Sequence, residues 1–196
     1  GKNSTIILDD ADLDIAISES ARAAFLNQGQ VCLCGSRLLI HSDIWNEFVP
    51  RFISHVKSMK IGDPSDEETE LGPLISFAHL EMVEAYIQLA LDEGGEILTG
   101  GSRFQPPPPF SEGAFLEPTV IKGLKIDSRC STEEIFGPVV TLHRFDNDQE
   151  AVMFANNTEY GLAGSVWTTN LKRGGQIAES IESGMVWVNC WLHRDL

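Results

Sequence analysis

Basic residues are scarce in this chain: 14 Lys and Arg stand against 29 Asp and Glu, a formal charge of -15. A nucleic-acid backbone needs a basic face, so the balance argues against that partner. A nucleotide cofactor is still admissible, since a few local groups can hold one. No apolar run approaches the ~20 residues of a membrane helix. No charged-then-apolar leader opens the chain, and no membrane partner is expected. Cysteine is sparse as well. Cys32, Cys34, Cys130 and Cys190 show no disulfide-framework spacing, which points to the cytoplasm or another reducing compartment. His41, His55, His79, His143 and His193 are scattered, so the Cys-x-Cys pair lacks clustered partners for a metal. No internal repeat is visible.

What is present is an ordinary globular composition, 42% hydrophobic and 22% charged over 196 residues. That suits a single domain with a sizeable core. Five acids crowd positions 63–70; without ligand spacing they read as a solvated loop between two helical patterns. Pro106 to Pro109 reads as a stiff surface loop.

Thr5 to Leu8 reads as a buried strand, and Asp9 or Asp10 is placed to cap the helix that follows. Leu13, Ile17, Ser20 and Ala24 recur at helical spacing. Ser36 to His41 is a second strand. Ile44 to Met59 and Leu80 to Leu91 are helices, closed by glycine or proline. Strands are expected at 96–99, 115–121, 139–145, 163–168 and 185–188, with helices at 146–156 and 171–182. Alternation of this kind favours an α/β fold: a mostly parallel sheet covered on both faces, three layers in αβα order.

The stretch Phe25-Leu-Asn-Gln-Gly-Gln-Val-Cys-Leu-Cys-Gly-Ser-Arg37 lies between the first helix and the second strand. A soft nucleophile on such a turn is well presented at a sheet edge. A small buried hydrophobe is the common alternative for a single cysteine. Phe25, Gly29, Gln30 and Cys32 match the cysteine signature of the NAD(P)-dependent aldehyde dehydrogenases. Glu133-Glu-Ile-Phe-Gly-Pro-Val139 resembles that family's cofactor motif, and Phe115-Leu-Glu-Pro-Thr-Val120 a strand just before it. Asn156-Asn-Thr-Glu-Tyr-Gly-Leu-Ala163 and Gly184-Met-Val-Trp-Val-Asn189 resemble its last catalytic-domain elements. The resemblance covers essentially the whole chain.

The resemblance implies a catalytic domain over 1–196 that oxidises an aldehyde to a carboxylic acid, with NAD as hydride acceptor and NADP not excluded. Cys32 is then the nucleophile and Cys34 a buried neighbour. A free thiol has a pKa of ~8.5, so only about 3% is thiolate at pH 7, and the site must supply activation. Glu134 is implied to hold the nicotinamide ribose and Phe136 to wall the nicotinamide ring, where a capping glutamate and a core phenylalanine are the alternatives. His79 falls near another cofactor-contacting position. Gly1-Lys2 match the end of a Glu-Leu-Gly-Gly-Lys motif. The general-base glutamate, an oxyanion asparagine and a nucleotide-binding domain are therefore expected before Gly1, and a C-terminal strand that joins a neighbouring subunit after Leu196.

Val31-Cys-Leu-Cys34 and the tail Asn189-Cys-Trp-Leu-His-Arg-Asp-Leu196 resemble the muconic semialdehyde branch of the family. Arg194 is there implied to grip the substrate carboxylate, for which a guanidinium fork is well shaped; a surface Arg194–Asp195 pair is the alternative. The expected partner is a small-molecule aldehyde, in a parent that is a homo-oligomer. The rival expectations are a retinal, aliphatic or aromatic aldehyde substrate, or an inactive folding or assembly module.

Overall fold

The computed structural model describes residues 1–193. Its strands are β1 (Ser4–Ile7), β2 (Arg37–His41), β3 (Glu96–Thr99), β4 (Thr119–Lys122), β5 (Val139–Phe145), β6 (Ala163–Trp167) and β7 (Met185–Val188). Its helices are α1 (Leu13–Phe25), α2 (Trp45–Ser58), α3 (Phe77–Asp92), α4 (Arg129–Thr132), α5 (Asp148–Ala155) and α6 (Leu171–Ser180). The strands form one seven-stranded sheet in the order β3-β4-β5-β2-β1-β6-β7. β3 runs antiparallel to β4, and every other pairing is parallel.

Side-chain alternation along the central strands builds a core on each face. Ile7, Leu38, Ile40, Val140 and Leu142 face α1 and α2. Ile6, Leu8, Leu39 and Val166 face α5 and α6. Farther along the sheet, Leu80, Val83 and Ile87 of α3 pack with Ile121 and Val139. The result is the expected αβα stack. Among the described residues no helix is long and apolar enough to cross a membrane.

Three local expectations need correction. The cap of α1 is Asp12, whose carboxylate accepts from the Asp14 and Ile15 amides. Asp9 pairs instead with Arg173, and Asp10 accepts from Thr168, Thr169 and the Asn170 amide. The strand expected over 115–121 begins only at Thr119. Pro118 has no amide to give a ladder, and Phe115 and Leu116 pair outside the sheet with Phe104 and Arg103. The chain also forms α4, and a 3-10 turn over Leu26–Gly29, both too short to leave a periodic signal.

Candidate active site

Phe25 ends α1 in the core, fully buried. Beyond it Asn27, Gln28 and Gly29 all take left-handed backbone angles, with φ of 51°, 56° and 70°. These angles turn the chain back on itself and bring Gly29 against Gly137. A Cβ on Gly29 would lie 2.1 Å from the Gly137 carbonyl oxygen. Only a bare backbone allows that approach. This contact joins the cysteine stretch to Glu134–Gly137, about a hundred residues away in sequence.

Cys32 then sits on a turn closed by the Cys34 amide, which donates to the Val31 carbonyl at 3.0 Å. Cys32 is exposed and Cys34 buried. Burial pushes the Cys34 thiol up to about 12, so that sulfur stays protonated at neutral pH. The two cysteines are thus physically unlike: one accessible, one a core group.

The two glutamates of the second loop are also unlike. Glu133 accepts from the Tyr86 hydroxyl at 2.7 Å and from Arg129 at 2.7 and 3.0 Å. The Arg129 and Tyr86 hydrogen bonds hold its carboxyl below the usual range. Glu134 has no such side-chain partner among the described residues; its carboxylate meets the nitrogen of Gly1. It lines a small cleft with Gly29, Val31, Cys34 and Phe136. Phe136 is 38% exposed and holds a left-handed φ of 60°, an unfavourable conformation for a side-chain-bearing residue. His79 from α3 contacts the Phe136 carbonyl through Nε2 at 2.7 Å. The structure therefore sets His79 behind Phe136. Arg194 lies outside the described residues.

Sequence reasoning passed over three residues around this cleft. Asn3 is buried, and its Nδ2 donates to the carbonyls of both Cys32 and Cys34 at 2.9 Å. Trp191 donates from Nε1 to the Leu33 carbonyl at 3.0 Å. Lys2 is 1% exposed and its Nζ has no partner among the described residues. Burial, with the like charge of Arg37, lowers its pKa to about 7. Arg37 itself caps α5, donating to the carbonyls of Phe154 and Ala155 at 2.9 and 2.8 Å, and binds the Lys2 carbonyl at 3.0 Å. A carbonyl-rich helix end is a natural partner for a buried guanidinium.

Lys2 and Asn3, Cys32 and Cys34, and Glu134 and Phe136 lie just before the first residues of β1, β2 and β5 in turn. The cleft is therefore at the amino-terminal edge of the parallel strands, opposite to where open α/β sheets usually bind ligands. Among the described residues no group of three or more His, Cys, Asp or Glu could hold a metal ion.

Comparison with known proteins gives a consistent set of matches. The family model described as "Aldehyde dehydrogenase family" matches residues 1–196. The human 2-aminomuconic semialdehyde dehydrogenase is 45% identical over 100% of this chain and 41% of its own length. The 2-hydroxymuconic semialdehyde dehydrogenase of Pseudomonas putida is 44% identical over 100% of this chain and 40% of its own. Among solved structures, betaine aldehyde dehydrogenase from Staphylococcus aureus in complex with NAD+ superposes with a TM-score of 0.95 at 39% identity, covering 100% of this chain and 38% of that one. The chain spans about two fifths of the length of the curated relatives it matches.

Proposed function

This chain belongs to the aldehyde dehydrogenase family, and from that membership we propose that the whole protein oxidises an aldehyde to a carboxylic acid through Cys32, with NAD accepting the hydride. The observation that carries the reading is the meeting of two loops. The exposed Cys32 lies three residues past Gly29, whose backbone packs on Gly137 at the end of the loop bearing Glu134 and Phe136, and Cys34 of the same turn lines the small cleft beside them.

An aldehyde carbon cannot release hydride until it is tetrahedral. The Cys32 thiolate attacks it, the carbonyl π electrons move to oxygen, and a thiohemiacetal forms on the sulfur. Among the described residues the Cys32 amide donates to no backbone carbonyl, so it is open to the developing oxyanion. Collapse of the oxyanion expels hydride and leaves a thioester, which water opens to the acid and the free thiol. NAD, when bound, supplies the hydride acceptor. The residues present fit it: the Glu134 carboxylate, unlike that of Glu133, has no side-chain partner among the described residues and can accept from two ribose hydroxyls. Phe136, partly exposed beside it, offers an apolar wall.

The muconic semialdehyde relatives at 44–45% identity support a semialdehyde acid as substrate, with Arg194 holding its carboxylate. Four free cysteines fit a reducing compartment such as the cytoplasm.

The test is formation of reduced cofactor by the protein expressed from its complete reading frame, with a muconic-type semialdehyde and with neutral aldehydes, using NAD and NADP in parallel. Turnover with the semialdehyde acid, abolished by Cys32→Ser, is expected. Undiminished turnover in Cys32→Ser removes the sulfur from the mechanism. Equal kcat/KM for neutral aldehydes removes the semialdehyde.

A further inference from the structure

We propose that Asn3 and Trp191 are positioning residues that hold the reactive turn from two sides, so that Cys32 is presented in one orientation. The proposal rests on the reading of Cys32 as nucleophile.

The turn has little to hold it by itself. Its own backbone bonds are two: the Cys34 amide donates to the Val31 carbonyl, and where the turn leaves for β2 the Ser36 amide donates to the Cys34 carbonyl at 3.1 Å. The next three carbonyls are taken by side chains from opposite ends of the chain. Asn3 Nδ2 donates to the carbonyls of Cys32 and Cys34, each at 2.9 Å. Trp191 Nε1 donates to the carbonyl of Leu33 between them, at 3.0 Å. Four successive carbonyls, 31 to 34, therefore each have a donor.

Planarity makes this matter for the thiol. In a trans peptide the C=O of one residue and the N–H of the next point in opposite directions. Holding the Val31 carbonyl inward turns the Cys32 amide the other way. Holding the Cys32 carbonyl on Asn3 does the same for the Leu33 amide. With the planes on both sides of Cys32 fixed, its Cα–Cβ direction is fixed too. What remains free is rotation of the thiol about its own side-chain bond.

Both holders are themselves anchored. The Asn3 Oδ1 accepts from the Ala163 amide at 3.1 Å, and the Arg37 amide donates to the Asn3 carbonyl at 3.2 Å. Asn3 thus ties the turn to β1, β2 and β6 at once. Its chemistry is hard to replace. A carboxamide has two donors on one nitrogen and an acceptor beside it. Aspartate has the same shape but would aim oxygen lone pairs at two carbonyl oxygens. Trp191 packs with Leu33, Ala23, Ala163 and Trp187. Its ring lies under the Arg22 guanidinium at 5.2 Å, and Arg22 also donates to the Trp191 carbonyl at 3.4 Å. Arg22 is on α1, the helix that delivers the cysteine. The segment after β7 is thereby clasped to the reactive turn.

The experiment uses the protein from its complete reading frame and compares native, Asn3→Asp, Asn3→Ala, Trp191→Phe and Cys32→Ser. Trp191→Phe keeps a six-membered aromatic ring and removes the pyrrole half of the indole with its N–H, so it guards against loss of folding in the Asn3 variants. Two readouts are taken on folded protein: the pH profile of Cys32 alkylation by iodoacetamide, followed by peptide mapping, and kcat separately from the KM for NAD. Misplacement of a reacting group by about an ångström costs roughly a hundredfold in rate. Trp191→Phe, which loosens one carbonyl of four, is expected to lower kcat by about threefold to tenfold. It should shift the alkylation profile and leave the KM for NAD alone. Asn3→Asp is expected to be at least as impaired as Asn3→Ala despite its native shape. A folded Trp191→Phe with native kcat and native alkylation profile overturns the proposal, as does an Asn3→Asp that behaves as native. Full turnover in Cys32→Ser would instead defeat the nucleophile reading on which the proposal stands. Loss of turnover there beside an unaffected Trp191→Phe overturns the positioning role alone.

Discussion

Replacing Lys2 with methionine keeps the unbranched stem of a side chain that is 1% exposed and removes its amine. The amine has no hydrogen-bond partner among the described residues, and burial lowers its pKa from 10.5 to about 7. The unfolded chain therefore keeps this proton up to 10.5, the folded chain only up to about 7. Below the lower value both states carry it, and the fold bears the full penalty of a buried charge. Between the two values the unfolded state binds more protons, so stability rises with pH. At about 1.4 kcal/mol per pH unit over which only the unfolded chain keeps the proton, the native chain gains a few kcal/mol, on the order of 2 to 3, from this group between roughly pH 6 and pH 9. Lys2→Met has no such gain. Urea unfolding of both chains at several pH values measures the difference directly. Methionine should be the more stable, most clearly at the acid end, with its advantage shrinking by roughly 2 to 3 kcal/mol by about pH 9. The difference cancels the other titrations, including the Cys34 and Cys130 thiols raised to about 12. Two parallel stability curves would refute the reasoning, since an amine that reaches water in the fold has no reason to lose its proton early.

Gly29→Ala should abolish turnover and lower stability by several kcal/mol, read by thermal unfolding, because both its φ and the Gly137 carbonyl forbid a Cβ. Glu134→Gln should raise the KM for NAD with little change in Tm. Glu133→Gln should do the reverse, with a stability loss of no more than ~1 kcal/mol for so exposed a network. His143 is buried among Thr141 and Ser131, and burial lowers its pKa from 6.5 to about 3. Its folded-state pKa lies below the unfolded one, so stability should fall as pH drops from 6.5 toward 3, and His143→Gln should flatten that acid limb in urea titrations. On folded protein, iodoacetamide should label Cys32 well before Cys34 and Cys130, whose thiols are pushed up by burial.

Much of the architecture was legible because its signals are local. β5 and β7 occupy the residues that apolar runs indicated, and the glycine and proline stops bound α2 and α3 within a few residues. A four-residue helix such as α4 is too short to show a 3.6-residue period and left no trace. Pro118 shortened β4 in a way its apolar neighbours concealed. At the cleft, Cys32, Glu134 and Phe136 were named through motifs, yet what brings them together is the Gly29–Gly137 approach. A glycine in a turn says that a Cβ is unwelcome, not which distant backbone stands in its place. Asn3 looked like an ordinary polar residue before a strand, and its two carbonyl partners exist only once β2 lies beside β1. Lys2 could not be expected inside at all, since lysine is almost never buried without a partner.

The Gly29–Gly137 approach also decides how wide the cleft can be. Between the strand of chain carrying the sulfur and the one carrying the carboxylate there is no rotamer to choose and no methylene to add or delete. Their spacing is gauged by the radii of main-chain atoms, which neither temperature nor neutral drift rewrites. A relative that takes a bulkier ligand must find its extra room at the rim, where Phe136 stands, while the floor stays as it is.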